Sequence, residues 1–283
     1  MSAGPSARTR HLALRTGADL AVALDRGLLT AVYQPVVDVG SGQVVAAEAL
    51  ARLRDPGTNR LVPPADFVAL AEATGMVDRL DRELAALAIP QAAAWRRMRP
   101  GQPFSIAVNI SVHDLDDNRL PDRLATLAAA ADLPLNALIV EVTETALSVP
   151  DPRHADVLRR LDAMEVNVTL DDFGTGFSSL SQLLRYPIHG IKVDRSFVAE
   201  LGNGGRGERI ARSVIRLGAD IGVHVVAEGV ETEQQLEILG ELGCPFAQGF
   251  LFGRPVPAAE LTARLGAAGP AGLLPRPRLA AAE

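Results

Sequence analysis

Asp171 and Asp172 stand side by side at the end of a short apolar run, Val166-Asn167-Val168-Thr169-Leu170, and Phe173-Gly174-Thr175-Gly176 follows. Two adjacent carboxylates repel each other unless a cation lies between them, so the pair reads as a metal site. The arrangement recurs: Glu48, Asn109, Glu141, Lys192 and Glu228 each close or follow an apolar run. One acid in such a place is explained by solvent or a helix cap, but so many in one chain are not. Oxygen donors with few histidines suit Mg²⁺ or Mn²⁺ better than zinc or copper. Burying several carboxylates without cations is costly. Two divalent ions about 3.5–4 Å apart relieve that cost and form a machinery for in-line phosphodiester hydrolysis. A neighbouring lysine then orients the attacking water or neutralises charge developing on phosphate.

The elements that must position these groups alternate. Strand-like runs cover roughly 31–38, 43–50, 104–110, 137–142, 166–171, 189–193, 222–227 and 246–251. Helix-period segments at 64–74, 77–97, 120–131, 152–164, 206–220 and 231–242 separate most of them. Strand–helix alternation over eight strands predicts an α/β fold, a TIM-like (β/α)8 barrel. Only Val39-Gly40-Ser41-Gly42 separates the first two runs, which is hairpin length. The first strand should therefore be antiparallel to the second. In such barrels the active site gathers at the C-terminal ends of the strands, where the candidate residues fall. Alternation along the second run places Glu48, Leu50 and Arg52 on one side: a metal ligand, an apolar contact and a phosphate-binding guanidinium. The barrel should span residues 13–266, with tails at 1–12 and 267–283.

Composition narrows the function classes. The 283 residues are 48% hydrophobic and 22% charged, with a net charge of −6. That balance disfavours a nucleic-acid polymer as partner, which requires a basic face. The single cysteine, Cys244, excludes an intrachain disulfide and a cysteine-based zinc site, and it fits a reducing cytoplasm. No run of about 18 apolar residues exists to cross a membrane. The five histidines show no metal-ligand spacing and read as surface or packing residues, as does Trp95. Gly174-Thr175-Gly176 imitates a dinucleotide fingerprint, but Ser179 stands where the third glycine belongs, and the two preceding acids would repel a pyrophosphate.

In combination and in order, the motifs resemble the EAL-domain phosphodiesterases that hydrolyse cyclic di-GMP, over about residues 15–262. They are Tyr33-Gln34-Pro35-Val36-Val37-Asp38, Glu48-Ala49-Leu50 with Arg52, Asn109-Ile110-Ser111, Glu141-Val142-Thr143-Glu144, Asp171-Asp172-Phe173-Gly174, Lys192-Val193-Asp194, Ala227-Glu228-Gly229-Val230-Glu231-Thr232 and Gln248-Gly249-Phe250. The resemblance implies cleavage of cyclic di-GMP to linear pGpG with two Mg²⁺ or Mn²⁺ ions. It implies Glu48, Asn109, Glu141 and Asp171 as principal metal ligands, with Asp171 bridging to a second ion near Asp172 and Glu228. Lys192 would contact the catalytic water. Gln34, Leu50, Arg52, Asp172, Glu231 and Gln248 would lie near the substrate. Glu144 would hold the loop after Asp172. A homodimer through that side of the barrel would couple residues 172–180 to activity. Leu53, Pro245, Phe177 and Phe250 depart from the usual family residues, and none supplies a metal ligand. The alternative is a catalytically weak or inactive cyclic di-GMP receptor. Survival of the metal and lysine positions favours the enzyme.

Overall fold

The computed structural model describes residues 12, 14–174 and 179–267. Most of both expected tails, and Gly176 and Phe177, lie outside the described residues. The strands are β1 (Leu29–Asp38), β2 (Val44–Arg54), β3 (Leu61–Val62), β4 (Ser105–Asn109), β5 (Leu138–Thr143), β6 (Asn167–Phe173), β7 (Gly190–Val193), β8 (His224–Ala227), β9 (Phe246–Gln248) and β10 (Val256–Pro257). The helices are α1 (Gly17–Asp25), α2 (Val68–Ala73), α3 (Val77–Met98), α4 (Val112–Leu115), α5 (Leu120–Ala131), α6 (Pro152–Ala163), α7 (Ser179–Arg185), α8 (Arg195–Val198), α9 (Arg206–Ile221), α10 (Glu233–Glu241) and α11 (Ala258–Ala267).

Eight strands close into a barrel in the order β1-β2-β4-β5-β6-β7-β8-β9, and β9 returns to β1. β1 is antiparallel to both neighbours, and every other pair in the ring is parallel. The hairpin between β1 and β2 is the cause, because the five residues 39–43 leave no room for a crossover helix. Asp38 sets that turn structurally, accepting from Ser41 N (2.7 Å) and Ser41 Oγ (2.6 Å). β3 and β10 add short antiparallel pairings outside the ring.

Local chemistry fixes the helix starts. Asp151 caps α6 ahead of Pro152, while Thr232 and Gln235 form a reciprocal capping box on α10. Each such cap satisfies amide donors that the helix cannot pair internally. The main core packs the helices on the barrel. Trp95 of α3 is fully buried, edge-on to Tyr33 at 4.8 Å and to Phe104 at 5.4 Å, and its indole N–H donates to Thr262 Oγ1. A second core gathers Leu20 and Leu24 of α1 with Leu53, Phe67 and Leu80. Leu53 is fully buried there.

Strand registry brings the candidate residues to one level. Gln34 faces Glu48, Val36 faces Gln248, Asn109 faces Glu141 and Thr143 faces Asp171. Regular pleating would send Asp171 and Asp172 to opposite faces. The ladder between β6 and β7 breaks between Leu170 and Phe173, and Asp172 adopts φ +55°. This bulge re-aims the second carboxylate. The turn therefore begins on Asp172 itself, two residues before Gly174, which also adopts a positive φ of +96°. Gly249 follows Gln248 because a Cβ there would lie 2.1 Å from Val230 O.

Candidate metal centre

The Lys192 ammonium sits at the middle of the constellation. Nζ lies 2.7 Å from Glu228, 3.0 Å from Glu141, 3.3 Å from Asp171 and 3.6 Å from Glu48. The lysine is 1% exposed, and Glu48 and Glu141 are buried with it. Four strands and the residue after a fifth element deliver these groups: β2, β5, β6 and β7, with Glu228 directly beyond β8. Asn109, at the end of β4, donates to Glu48 Oε1 at 2.9 Å. Gln248 Nε2 donates to Glu48 Oε2 (2.6 Å) and to Gln34 Oε1 (3.1 Å). Asp171, Asp172 and Glu228 also offer three carboxylate oxygens within 4.8 Å of one another. Asp171 and Glu228 thus belong to both groupings.

One ammonium cannot balance four carboxylates, two of them buried and two half-buried. Burial opposes ionisation of Glu48, yet Lys192 and the hydrogen bonds from Gln248 and Asn109 hold its carboxyl below the usual range. Burial dominates at Glu141, and despite Lys192 the carboxyl is pushed well above that range, with Glu48, Asp171 and Glu228 adding repulsion. Burial likewise pushes Glu228 up to about 7. Burial and then Asp171 raise Asp172. Burial opposes the Lys192 charge, but the surrounding carboxylates more than offset it and hold the ammonium protonated well above the ordinary lysine range. The cluster is short of positive charge, and its donors are all oxygen. It therefore fits hard divalent cations, whose charge would replace the protons.

That competition predicts a pH dependence. Glu228 has a pKa raised in the fold, so it holds a proton below about 7 and must release it to a cation. Mn²⁺ affinity should rise by about tenfold between pH 6 and pH 8 if this one proton is displaced, with proton release on binding. Calorimetric titration in buffers of different ionisation enthalpy measures both. A flat affinity would remove Glu228 from the ligand set.

Around the cluster, Glu144 ties β5 to β6. It is 2% exposed, its N–H donates to Asp171 O (3.0 Å), and its Oε2 accepts from Gly174 N (3.1 Å). Gln182 of α7 donates to the Glu144 carbonyl at 2.9 Å, a support that sequence reading missed. A groove of about 700 Å³ runs beside the centre, lined by Leu50, Arg52, Asn109, Asp81, Val112 and Thr143 among others. Gln248 Oε1 is a buried acceptor with no hydrogen-bond donor among the described residues. Glu231 is not drawn into the cluster. It is exposed, and it precedes α10 and the Thr232 cap instead of opening that helix. Arg52 stands at the groove and donates to the Ala51 carbonyl at 2.7 Å. Asp194 caps α8 by accepting from Ser196 N.

A second acidic grouping, Asp116, Asp151 and His154, is already occupied by the chain itself. Arg153 Nη2 lies 2.7 Å from Asp151 and 3.1 Å from Asp116. Among the described residues no helix is long and apolar enough to cross a membrane.

Comparison with known proteins places these features. A family model described as the EAL domain matches residues 18–255. NbdA of Pseudomonas aeruginosa, named a cyclic di-GMP phosphodiesterase, is 40% identical over 81% of this chain and 29% of its own length. RocR of the same organism, also named a cyclic di-GMP phosphodiesterase, is 36% identical over 85% of this chain and 60% of its own. The chain spans about a third of the length of most curated relatives it matches. Among solved structures, the PaMucR phosphodiesterase in its c-di-GMP complex superposes with a TM-score of 0.80. It is 37% identical, covering 86% of this chain and 98% of that one.

Proposed function

The chain belongs to the EAL domain family, and from that premise we propose that it hydrolyses cyclic di-GMP to linear pGpG, using divalent cations held by Glu48, Asn109, Glu141, Asp171, Asp172 and Glu228. The observation that carries the reading is the buried Lys192 ammonium ringed by four carboxylates, three from separate strands and one from the residue after a fourth. An inactive receptor has no use for so costly an arrangement. The ions, which we take to be two Mg²⁺ or Mn²⁺, would supply a water acidified toward neutral pH and a counter-charge for the phosphodiester. Lys192 keeps its proton, so it acts as a fixed charge and hydrogen-bond donor to the attacking water or a phosphate oxygen, not as a base. Gln248 holds Glu48 in place through Nε2, and its unpaired Oε1 suits an N–H donor such as a guanine edge presents. Leu50 and Arg52 would take an apolar contact and a phosphate from the groove, with Gln34 and Glu231 near the substrate.

Glu144 would keep the strand end at Asp171–Gly174 in its working shape. A homodimer through this side of the barrel is part of the same reading. Its support is the exposure of Leu180 (61%) and Leu184 (92%) on α7, beside a groove containing Phe173, Ile210 and Leu217. A reducing cytoplasm is in keeping with the single buried cysteine.

Mass spectrometry tests the reaction: cyclic di-GMP with Mg²⁺ or Mn²⁺ should give a linear product heavier by one water. Ca²⁺ is larger, prefers more ligands and acidifies water less, so it should bind yet support little turnover. Intact substrate under Mg²⁺ and Mn²⁺ would leave the receptor reading in place, and robust hydrolysis with Ca²⁺ alone would overturn the ion assignment.

A further inference from the structure

We propose that Asp81 of α3 is a positioning residue for Asn109, clamping from outside the barrel the turn that carries this side chain into the site; the proposal rests on Asn109 being a metal ligand. Asn109 ends β4, and the chain turns through Ile110 and Ser111 into α4. Ile110 N donates to Glu141 O at 3.0 Å, which fixes the inner side of the turn. The outer side is fixed by Ser111. Its N–H is shared by Asp81 Oδ2 at 3.1 Å and Asp114 Oδ2 at 3.2 Å, and its hydroxyl donates to Asp114 Oδ2 at 2.8 Å. Asp114 is 1% exposed.

Asp114 alone would complete an ordinary capping box on α4. A second carboxyl group on the same amide is not required for that cap, and two carboxylates so placed would repel each other. The cations nearby are committed elsewhere. Arg123 Nη2 reaches Asp114 Oδ1 only at 3.7 Å and pairs closely with Asp117. Arg82 lines a small cavity together with Asp81 and Asp114 and pairs with Asp78 at 2.8 Å. Arg52, Glu72 and His113 face the groove on the other side. A shared proton resolves the conflict. Burial and then the Asp114 charge push the Asp81 carboxyl up to about 9, and the two side chains hydrogen-bond. As a neutral acid, Asp81 donates to Asp114 with one oxygen and accepts from Ser111 N with the other. The turn after Asn109 is thereby anchored to a long helix that contributes no ligand of its own. Groups that hydrogen-bond a ligand directly typically change metal affinity by about 10–100-fold, and Asp81, acting one step further out through the turn, should fall at the low end.

The test is Mn²⁺ affinity of the full chain without substrate, read from free Mn²⁺ by electron paramagnetic resonance. Asp81→Ala should weaken binding by about tenfold or more, and Asp81→Asn, which keeps a donor and an acceptor, should restore it to within about threefold of the parent. With cyclic di-GMP, Asp81→Ala should raise the Mn²⁺ needed for half-maximal turnover far more than it lowers kcat at saturating Mn²⁺. A merely structural residue would lower kcat and folded yield without moving that midpoint. Should Asp81→Ala fail to fold, Asp81→Ser, too short to reach Ser111, carries the same expectation. Parent-like Mn²⁺ affinity in these variants overturns the proposal, as does equal weakening by asparagine and alanine. A parent chain that binds no Mn²⁺ refutes the metal-centre reading itself.

Discussion

Replacing Lys192 by alanine should lower turnover of cyclic di-GMP by at least about 10²-fold, the scale for loss of one preorganised electrostatic contact. Glu48→Ala should lose as much, for the different reason that a proposed metal ligand is gone. Metal binding separates the two. Lys192→Ala should still bind Mn²⁺, because its carboxylates remain, whereas Glu48→Ala should bind it weakly. Stability gives a second signature. In the metal-free protein, Lys192 is the ammonium that faces Glu48, Glu141, Asp171 and Glu228. Removing one partner of a buried ionic cluster typically costs about 3–5 kcal/mol, softened here by proton uptake at Glu141 and Glu228. Metal-free Lys192→Ala should therefore melt well below the parent, and Mn²⁺ should raise its Tm by more than it raises the parent's. Steady-state kinetics and paired melts measure both. Turnover within tenfold of the parent would remove Lys192 from the reaction.

The ring of strands was legible because each falls in an apolar run, most of them rich in β-branched residues, and the antiparallel start followed from a hairpin-length gap. Several helices were not. α1 carries its signal in Thr16 and Asp19, which form a capping box, but Asp19 reads at first as a break in an apolar stretch. The four residues each of α4 and α8 are too short for helical periodicity to register. β9 stops at Gln248, short of the apolar run that continues to Leu251, because Gly249 must pass against the Val230 backbone.

At the site, residue types at strand ends were enough to nominate candidate ligands, since few other roles explain so many acids there. Their mutual distances were beyond reach. Nothing in the chain order says that Lys192 lies within salt-bridge distance of four acids, or that Glu231, three residues beyond Glu228, stays exposed. Asp81 was invisible for a related reason. On a helix pattern it reads as one more solvated acid, and its partner Asp114 comes from a different element. Pairings between distant elements depend on packing, which periodicity does not encode.

The bulge at Asp172 leads to the last expectation. Asp171 Oδ1 lies 3.3 Å from Lys192 Nζ and accepts from Asp172 N at 2.8 Å, and the same carboxylate joins Asp172 and Glu228 in the acidic grouping. It is the side chain that we propose bridges two ions. Asp171→Asn keeps the shape and the acceptor for Asp172 N but removes the charge, so the fold should survive while metal linkage collapses. At a metal concentration of 100 Kd the parent gains about 2.7 kcal/mol of stability from binding; a 100-fold weaker variant gains about 0.4 kcal/mol at the same concentration. For a domain of this size the two gains correspond to Tm shifts of about 5–10 °C and about 1 °C. Thermal melts with and without Mg²⁺ read them directly. Hydrogen exchange at the Asp172 and Gly174 amides supplies a local check: metal should slow it in the parent, where Glu144 already holds Gly174 N, and leave it nearly unchanged in the variant. Equal metal-induced shifts in both proteins, with the same protection at those amides, would rule out Asp171 as the bridging ligand.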